Sequence, residues 1–281
     1  MMKAGFSLNI KGRLCRIEHP LVMGILNVTP DSFFSGSRVG ADTLHTYVSK
    51  MVDEGADIID IGACSTRPGS LPVDEKTELE RLHKALDVID ADFPDAIVSI
   101  DTFRGRVVQE CVEHHNVSII NDVSAFSWDN TMLDAVASAR LPYILTHSVG
   151  AAGDTPEYKN LLPDVLRFLS EKLWQLRLRG VADVIIDPGF GFGKSVEQNY
   201  EMLARLQEFS LLDAPVLVGV SRKSMITKVL KVDASQALNG TTALNMAALM
   251  GGAHILRVHD VCAAAETIRL YRMMQSFNKK D

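Results

Sequence analysis

The residues with the greatest chemical capacity in this chain stand at the ends of short apolar runs. The densest group is Asp187-Pro188-Gly189-Phe190-Gly191-Phe192-Gly193-Lys194, which follows Val184-Ile185-Ile186. Three glycines alternating with two aromatics lack the side chains that a packed helix or strand buries, so this stretch reads as a loop. A carboxylate at its start and a lysine at its end bracket flat apolar faces, an arrangement that suits a flat, polar, partly anionic ligand. Two nucleotide-loop readings fail on spacing. Pro188 stands where a Walker loop ending in Gly193-Lys194-Ser195 needs its first glycine, and neither Gly189-x-Gly191 nor Gly191-x-Gly193 has the third glycine of a dinucleotide fingerprint.

The other apolar runs end in a similar way, at Asn27, Asp60, Asp101, Asn121-Asp122, His147, Ser221-Arg222-Lys223 and Arg257-Val258-His259. Asp101, Asn121 and Asp187 form one chemical group. A carboxylate accepts two parallel hydrogen bonds from a guanidine-like N–H edge, and an amide adds a donor and an acceptor beside it. Together they are expected to read the edge of a pterin or a guanine. Metal binding is the competing reading of the same residues, although no His or Cys stands at a local ligand spacing. Arg257 and His259 are two apart, hence on one face of an extended segment, and are expected to grip a diphosphate. Asn27 offers a carbonyl oxygen to Mg²⁺, a hard cation that takes oxygen ligands and substrate phosphates. Lys223 is expected to hydrogen-bond a ring carbonyl or ring nitrogen of the same heterocycle.

Bringing these positions together requires a particular scaffold. Eight apolar runs, at 21–28, 58–61, 97–100, 117–120, 143–145, 184–186, 216–220 and 255–258, read as strands. Helical spacing fills 43–54, 79–89, 106–115, 162–179, 196–206 and 237–250 between them. Runs apolar throughout belong to strands buried on both faces, which implies a parallel sheet with helices outside. The expected fold class is α/β, a single (β/α)8 TIM barrel. An open doubly wound sheet is the alternative, but nothing marks a reversal of strand order. Residues 6–18 alternate around Lys11-Gly12 and read as a β-hairpin plugging one end. Residues 1–20 therefore form the hairpin and 21–281 the barrel, one domain overall.

Composition narrows the function classes. The chain has 281 residues, 47% of them apolar, enough for one large core. A formal charge of −6 argues against a nucleic-acid surface. Cys15, Cys64, Cys111 and Cys262 form no C-x-x-C pair, so neither a disulfide framework nor structural zinc is indicated. No stretch is apolar and long enough to span a bilayer, and a cytoplasmic protein is expected.

Taken in order, Asn27-Val28-Thr29-Pro30-Asp31-Ser32-Phe33, Ser65-Thr66-Arg67-Pro68-Gly69, Ile100-Asp101-Thr102, Asn121-Asp122, the loop at 187–194, Ser221-Arg222-Lys223-Ser224 and Arg257-Val258-His259-Asp260-Val261 resemble the dihydropteroate synthase family. The match runs from about 21 to 261. The resemblance implies a barrel enzyme of folate biosynthesis, usually a homodimer, with two small-molecule substrates and Mg²⁺. It would condense 7,8-dihydropterin-6-ylmethyl diphosphate with 4-aminobenzoate to give 7,8-dihydropteroate and diphosphate. Carried over by motif, Asp101, Asn121, Asp187, Lys223 and Arg257 form the pterin pocket, and Asn27, Thr66, Arg257 and His259 hold the diphosphate, with Asn27 on the metal. Phe33, Thr66, Arg67, Pro68, Phe190 and Ser224 surround the aminobenzoate. Asp101, Lys223, Arg257 and His259 are the expected catalytic residues, joined by Asp31.

Three places depart from the family pattern. Phe34-Ser35-Gly36-Ser37 lacks the usual loop carboxylate, which Asp31 is expected to replace; Ala63-Cys64 stands for Gly-Glu; and Thr146-His147-Ser148 stands for Met-His-Met. The rival readings are a pterin-dependent methyltransferase and a catalytically silent pterin-binding protein.

Overall fold

A computed structural model describes residues 5–28, 39–64, 73–149 and 156–278. The N-terminal hairpin pairs β1 (Ser7–Ile10) with β2 (Arg13–Arg16) in antiparallel register, Ser7 opposite Arg16. Its two-residue turn holds Lys11 and Gly12 at φ 50° and 82°, the left-handed pair that matches the twist of the flanking strands.

Eight parallel strands follow: β3 (Leu21–Asn27), β4 (Ile58–Gly62), β5 (Ile97–Asp101), β6 (Ile119–Asp122), β7 (Tyr143–Thr146), β8 (Val184–Asp187), β9 (Leu217–Val218) and β10 (Ile255–Val258). Their order is β8-β7-β6-β5-β4-β3-β10-β9. A parallel bridge between Ile186 and Val216, with the Ile186 N–H donating to the Pro215 carbonyl at 2.8 Å, joins the two ends and closes the ring. The expected barrel is the observed one, and the doubly wound alternative falls. The expected strand at 216–220 contracts to two residues, because the Val216 N–H donates to His254 Nδ1 at 3.0 Å instead of to the ladder and the chain leaves the ladder at Gly219.

The crossover helices are α1 (Val39–Asp53), α2 (Glu75–Asp92), α3 (Gly105–His114), α4 (Met132–Ala139), α5 (Leu161–Leu178), α6 (Val196–Ala204), α7 (Ser224–Leu230), α8 (Leu238–Met250) and α9 (Val261–Asn278). Helix α4 has only 8 residues, too few turns for the helical period to stand out in sequence. Among the described residues no helix is long and apolar enough to cross a membrane.

Strand alternation divides the core in two. Val22, Leu26, Ile59, Ile61, Val98, Ile100, Ile120 and Leu145 point outward into the layer beneath the helices. Met23, Ile58, Ile119, Ile144, Ile185, Leu217 and Ile255 point inward at the strand starts, where Leu8 and Ile17 of the hairpin close over them. The hairpin is thus the plug the sequence implied. The next inward positions on six of the eight strands, Asp60, Ser99, Asn121, Thr146, Asp187 and Arg257, are polar, while Ile25 and Gly219 stand at the other two, so the barrel has an apolar floor and a mainly polar mouth.

Leu8 is 2% exposed within that floor. Leu8→Ala is expected to cost about 2–5 kcal/mol of stability, seen as a lower urea midpoint with an unchanged slope; a midpoint within error of the parent would show that the hairpin does not seal the core.

Candidate active site

Arg257 sits two residues after the floor residue Ile255 on β10, so its side chain enters the mouth. Its Nε donates to Asp60 Oδ2 at 2.7 Å and its Nη2 to Asp101 Oδ2 at 2.7 Å. Asp60 is fully buried and also accepts from Asn121 Nδ2 at 3.1 Å. Burial pushes the Asp101 carboxyl up to about 7, with the Arg257 charge opposing and the Asp60 charge adding. Burial alone would lower the Arg257 value, but Asp60 and Asp101 overcome it and hold the guanidinium above its ordinary range.

The 187–194 loop follows β8. Asp187 Oδ1 accepts from the Gly189 N–H at 2.8 Å, and burial raises this carboxyl while Lys223 opposes. Gly189 and Gly191 have φ 71° and 83°, and a Cβ on Gly189 would overlap the His147 carbonyl, so that position accepts only glycine. Lys223 donates to the Phe190 carbonyl, and its ammonium lies 5.0 Å from the Phe192 ring centre. Burial lowers its pKa to about 8, with Asp187 opposing.

His259 stands two residues beyond Arg257, and its backbone N–H donates to Ser221 Oγ at 3.2 Å. Arg222 grips Asp260 through two bonds of 2.9 and 2.6 Å, tying the β9 exit to the β10 exit. Asn27 ends β3 opposite Gly62, which is itself opposite Asp101. A Cβ on Gly62 would sit in ordinary contact 3.5 Å from Asp101 Cβ and 3.8 Å from Asn27 Oδ1, which places those two residues around one space.

Asp101, Asn121, Asp187, Lys223 and Arg257 therefore meet at one mouth, flanked by Asn27 and His259. Asp31, Phe33, Thr66, Arg67 and Pro68 lie outside the described residues. Several expectations need correction. Asp60 is not a rim residue but a buried one inside the barrel, holding Arg257 and Asn121. Asp122 faces outward, where it accepts from the N–H groups of Ser124 and Phe126 and from the Tyr143 hydroxyl, each at 2.7 Å. His147 is 1% exposed, and burial takes its pKa down to about 2, so it packs as a neutral ring against Phe168. Lys194 turns back into its own loop, donating to the carbonyls of Gly189 at 2.8 Å, Phe192 at 2.9 Å and His147 at 3.3 Å. Phe190 is fully buried in the outer core, and Phe192 is the partly exposed aromatic of the pair. Sequence reasoning gave Asp60 and Ser221 no role. A lone Asp inside Ile58-Ile59-Asp60-Ile61 was the available signal, since a charge within a buried strand demands a partner.

A family model described as pterin binding enzyme matches residues 23–259. The dihydropteroate synthases of Escherichia coli strain K12 and Haemophilus influenzae are 39% and 40% identical to this chain, covering 92% and 90% of it and 93% of each relative. The chain belongs to the dihydropteroate synthase family. Solved dihydropteroate synthases superpose closely: that of Yersinia pestis, in a sulfonamide drug complex, with a TM-score of 0.89 and 36% identity over 96% of this chain and 100% of that one. That of Xanthomonas albilineans, with 4-aminobenzoic acid, gives 0.88 and 36% over 96% and 98%. A dihydropteroate synthase condenses dihydropterin diphosphate with 4-aminobenzoate in folate biosynthesis.

The donor set suits a metal brought in with its substrate. Among the described residues no cluster of three or more His, Cys, Asp or Glu is arranged to hold a metal ion. Asn27 would offer such a cation one neutral oxygen, the hard donor type that Mg²⁺ takes.

Asp101 carries a testable pH signature. Its carboxyl holds its proton more tightly in the folded chain than in the unfolded one, so the stability it contributes is complete below the usual carboxylate pKa of about 4 and is lost as pH rises through about 7. Ligand-free Asp101→Asn should accordingly lose less stability than the parent between about pH 5 and about pH 8, compared as urea midpoints at each pH. Equal slopes for the two proteins would show Asp101 ionised throughout that window.

Proposed function

We propose that the mouth performs the family's condensation with the following division of labour. The carboxylates of Asp101 and Asp187 accept the N–H edge of the aminopyrimidine, and the Asn121 amide, turned by its bond to Asp60, completes that edge. Lys223 donates to the ring carbonyl. Arg257, fixed by Asp60 and Asp101, lies where a flat guanidinium can stack on the pterin and meet the first phosphate. His259, Thr66 and Asn27 take the rest of the diphosphate. The single observation that carries this reading is the convergence of Asp101, Asn121, Asp187, Lys223 and Arg257 from five separate strands or strand exits.

The chemistry asks for little proton transfer. The bond from the pterin methylene carbon to the diphosphate oxygen breaks, and the diphosphate leaves with the electron pair. Asn27 would hold Mg²⁺ together with the substrate's phosphates, and the bound ion would supply charge neutralisation to the departing oxygens. Positive charge spreads into the dihydropterin, where the Asp101 and Asp187 carboxylates offset it, with Asp31 assigned to the same task from the sequence alone. The aryl amine then forms the carbon–nitrogen bond and loses a proton to solvent. Ser224, the exposed first residue of α7, offers its hydroxyl to the aminobenzoate carboxylate, and Phe33, Thr66, Arg67 and Pro68 are assigned to the aryl ring by motif. The Xanthomonas albilineans relative solved with 4-aminobenzoic acid supports an aminobenzoate site on this scaffold.

Lys223→Ala and Asn27→Ala are each expected to lower diphosphate release from the two substrates and Mg²⁺ by about a hundredfold or more, on the order of 3 kcal/mol. Unchanged release in either variant removes that residue's role, and binding of dihydropterin diphosphate without turnover by the parent would favour the silent pterin-binding reading.

All four cysteines are unpaired thiols, which fits a reducing compartment, and a cytoplasmic enzyme is proposed. A homodimer is proposed as well. Val229, Leu230, Met250, Leu270, Met273 and Phe277 leave large apolar side chains exposed on the last three helices. Sedimentation equilibrium should give twice the 30.8 kDa chain mass, and Met273→Glu with Phe277→Glu should shift it towards the single chain; a monomeric parent ends this proposal.

A further inference from the structure

We propose that Ser221 is a positioning residue that fixes the His259 imidazole with its proton on Nε2, so that the ring presents a hydrogen-bond donor to the diphosphate. Ser221 is 4% exposed at the exit of β9, and His259 follows β10, the neighbouring strand. The hydroxyl oxygen receives the His259 backbone N–H at 3.2 Å and lies 3.1 Å from His259 Nδ1.

A serine hydroxyl has one proton to give and two lone pairs to fill. Among the described residues, its contacts are these two to His259, so the proton has one acceptor, Nδ1. Were Nδ1 itself protonated, two donors would fill the lone pairs and the buried O–H would point at nothing, an arrangement folded proteins avoid. The hydroxyl proton therefore goes to Nδ1, and the ring proton to Nε2. Little slack remains for another geometry, because Arg222 and Asp260, the residues directly after Ser221 and His259, are locked together by their paired bonds. The Arg222 backbone N–H is further held by Thr241 Oγ1 at 3.1 Å. In this arrangement Arg257 supplies the cation and His259 a directed N–H.

The functional half of this inference rests on His259 belonging to the diphosphate grip; the tautomer does not, and is read in ligand-free protein. In long-range ¹H–¹⁵N spectra, with His259 assigned by its absence from His259→Gln, the parent should show an unprotonated Nδ1 and a protonated Nε2. Ser221→Ala should collapse that pattern to an exchanging average, and Ser221→Thr, which keeps the hydroxyl, should restore it. In turnover, Ser221→Ala should raise KM for dihydropterin diphosphate about tenfold with kcat within about twofold and KM for aminobenzoate unchanged, and Ser221→Thr should recover the parent value. A protonated Nδ1 in the parent, or an unaltered pattern in Ser221→Ala, overturns the proposal. The expected tautomer with an unmoved KM would instead overturn the link to diphosphate binding.

Discussion

Arg257 held between Asp60 and Asp101 is the constraint around which the mouth is built. The guanidinium comes from β10 and the two carboxylates from β4 and β5, so reaching them takes Arg257 across the face of β3. Such a buried pair contributes little net stability, since removing three charges from water costs about as much as their attraction returns. What it contributes is position. A planar cation is held still in a low-dielectric opening, beside the carboxylate that is expected to accept a ligand's N–H edge. Among the described residues, the side chains that Asp60 holds are those of Arg257 and Asn121.

Stability and chemistry are separated along the strand axis. At the strand starts, branched and unbranched aliphatics from the barrel meet the hairpin and exclude water. Two residues further along, six of the eight inward positions turn polar, and Lys223 in the loop beyond β9 adds a cation. The separation explains how buried groups at the mouth can keep perturbed protonation states, as in Asp101 and Lys223, while the fold as a whole rests on apolar packing elsewhere.

Much of this arrangement was legible in the sequence. Apolar runs of strand length, separated by helical spacing, specify buried parallel strands, and eight of them suit closure, which the bridge between Ile186 and Val216 completes. The polar residue at each run's end then marks the catalytic face, because in a parallel barrel all strand exits point the same way. Asp101, Asn121, Asp187, Lys223, Arg257 and His259 all follow such runs, and the structure brings them to one end of the barrel. The rule does not tell which side of a strand a residue faces when two polar residues stand together: Asn121 turns inward to the site, and Asp122 turns outward to cap the chain at Ser124 and Phe126.

The sequence by itself determined the barrel, its plug and the chemical character of its mouth, since these follow from periodicity and from what glycine and charged residues cannot do when buried. Only the tertiary structure decided which polar groups hold ligand and which hold each other. Lys194 bends into the carbonyls of its own loop, Phe190 is enclosed while its carbonyl takes Lys223, and Ser221 meets His259 across 38 positions of chain. The physical reason is the same in each case: hydrogen bonds and ion pairs are satisfied between strand neighbours in space, and strand order, register and loop dihedrals that set those neighbours are not local properties of the chain.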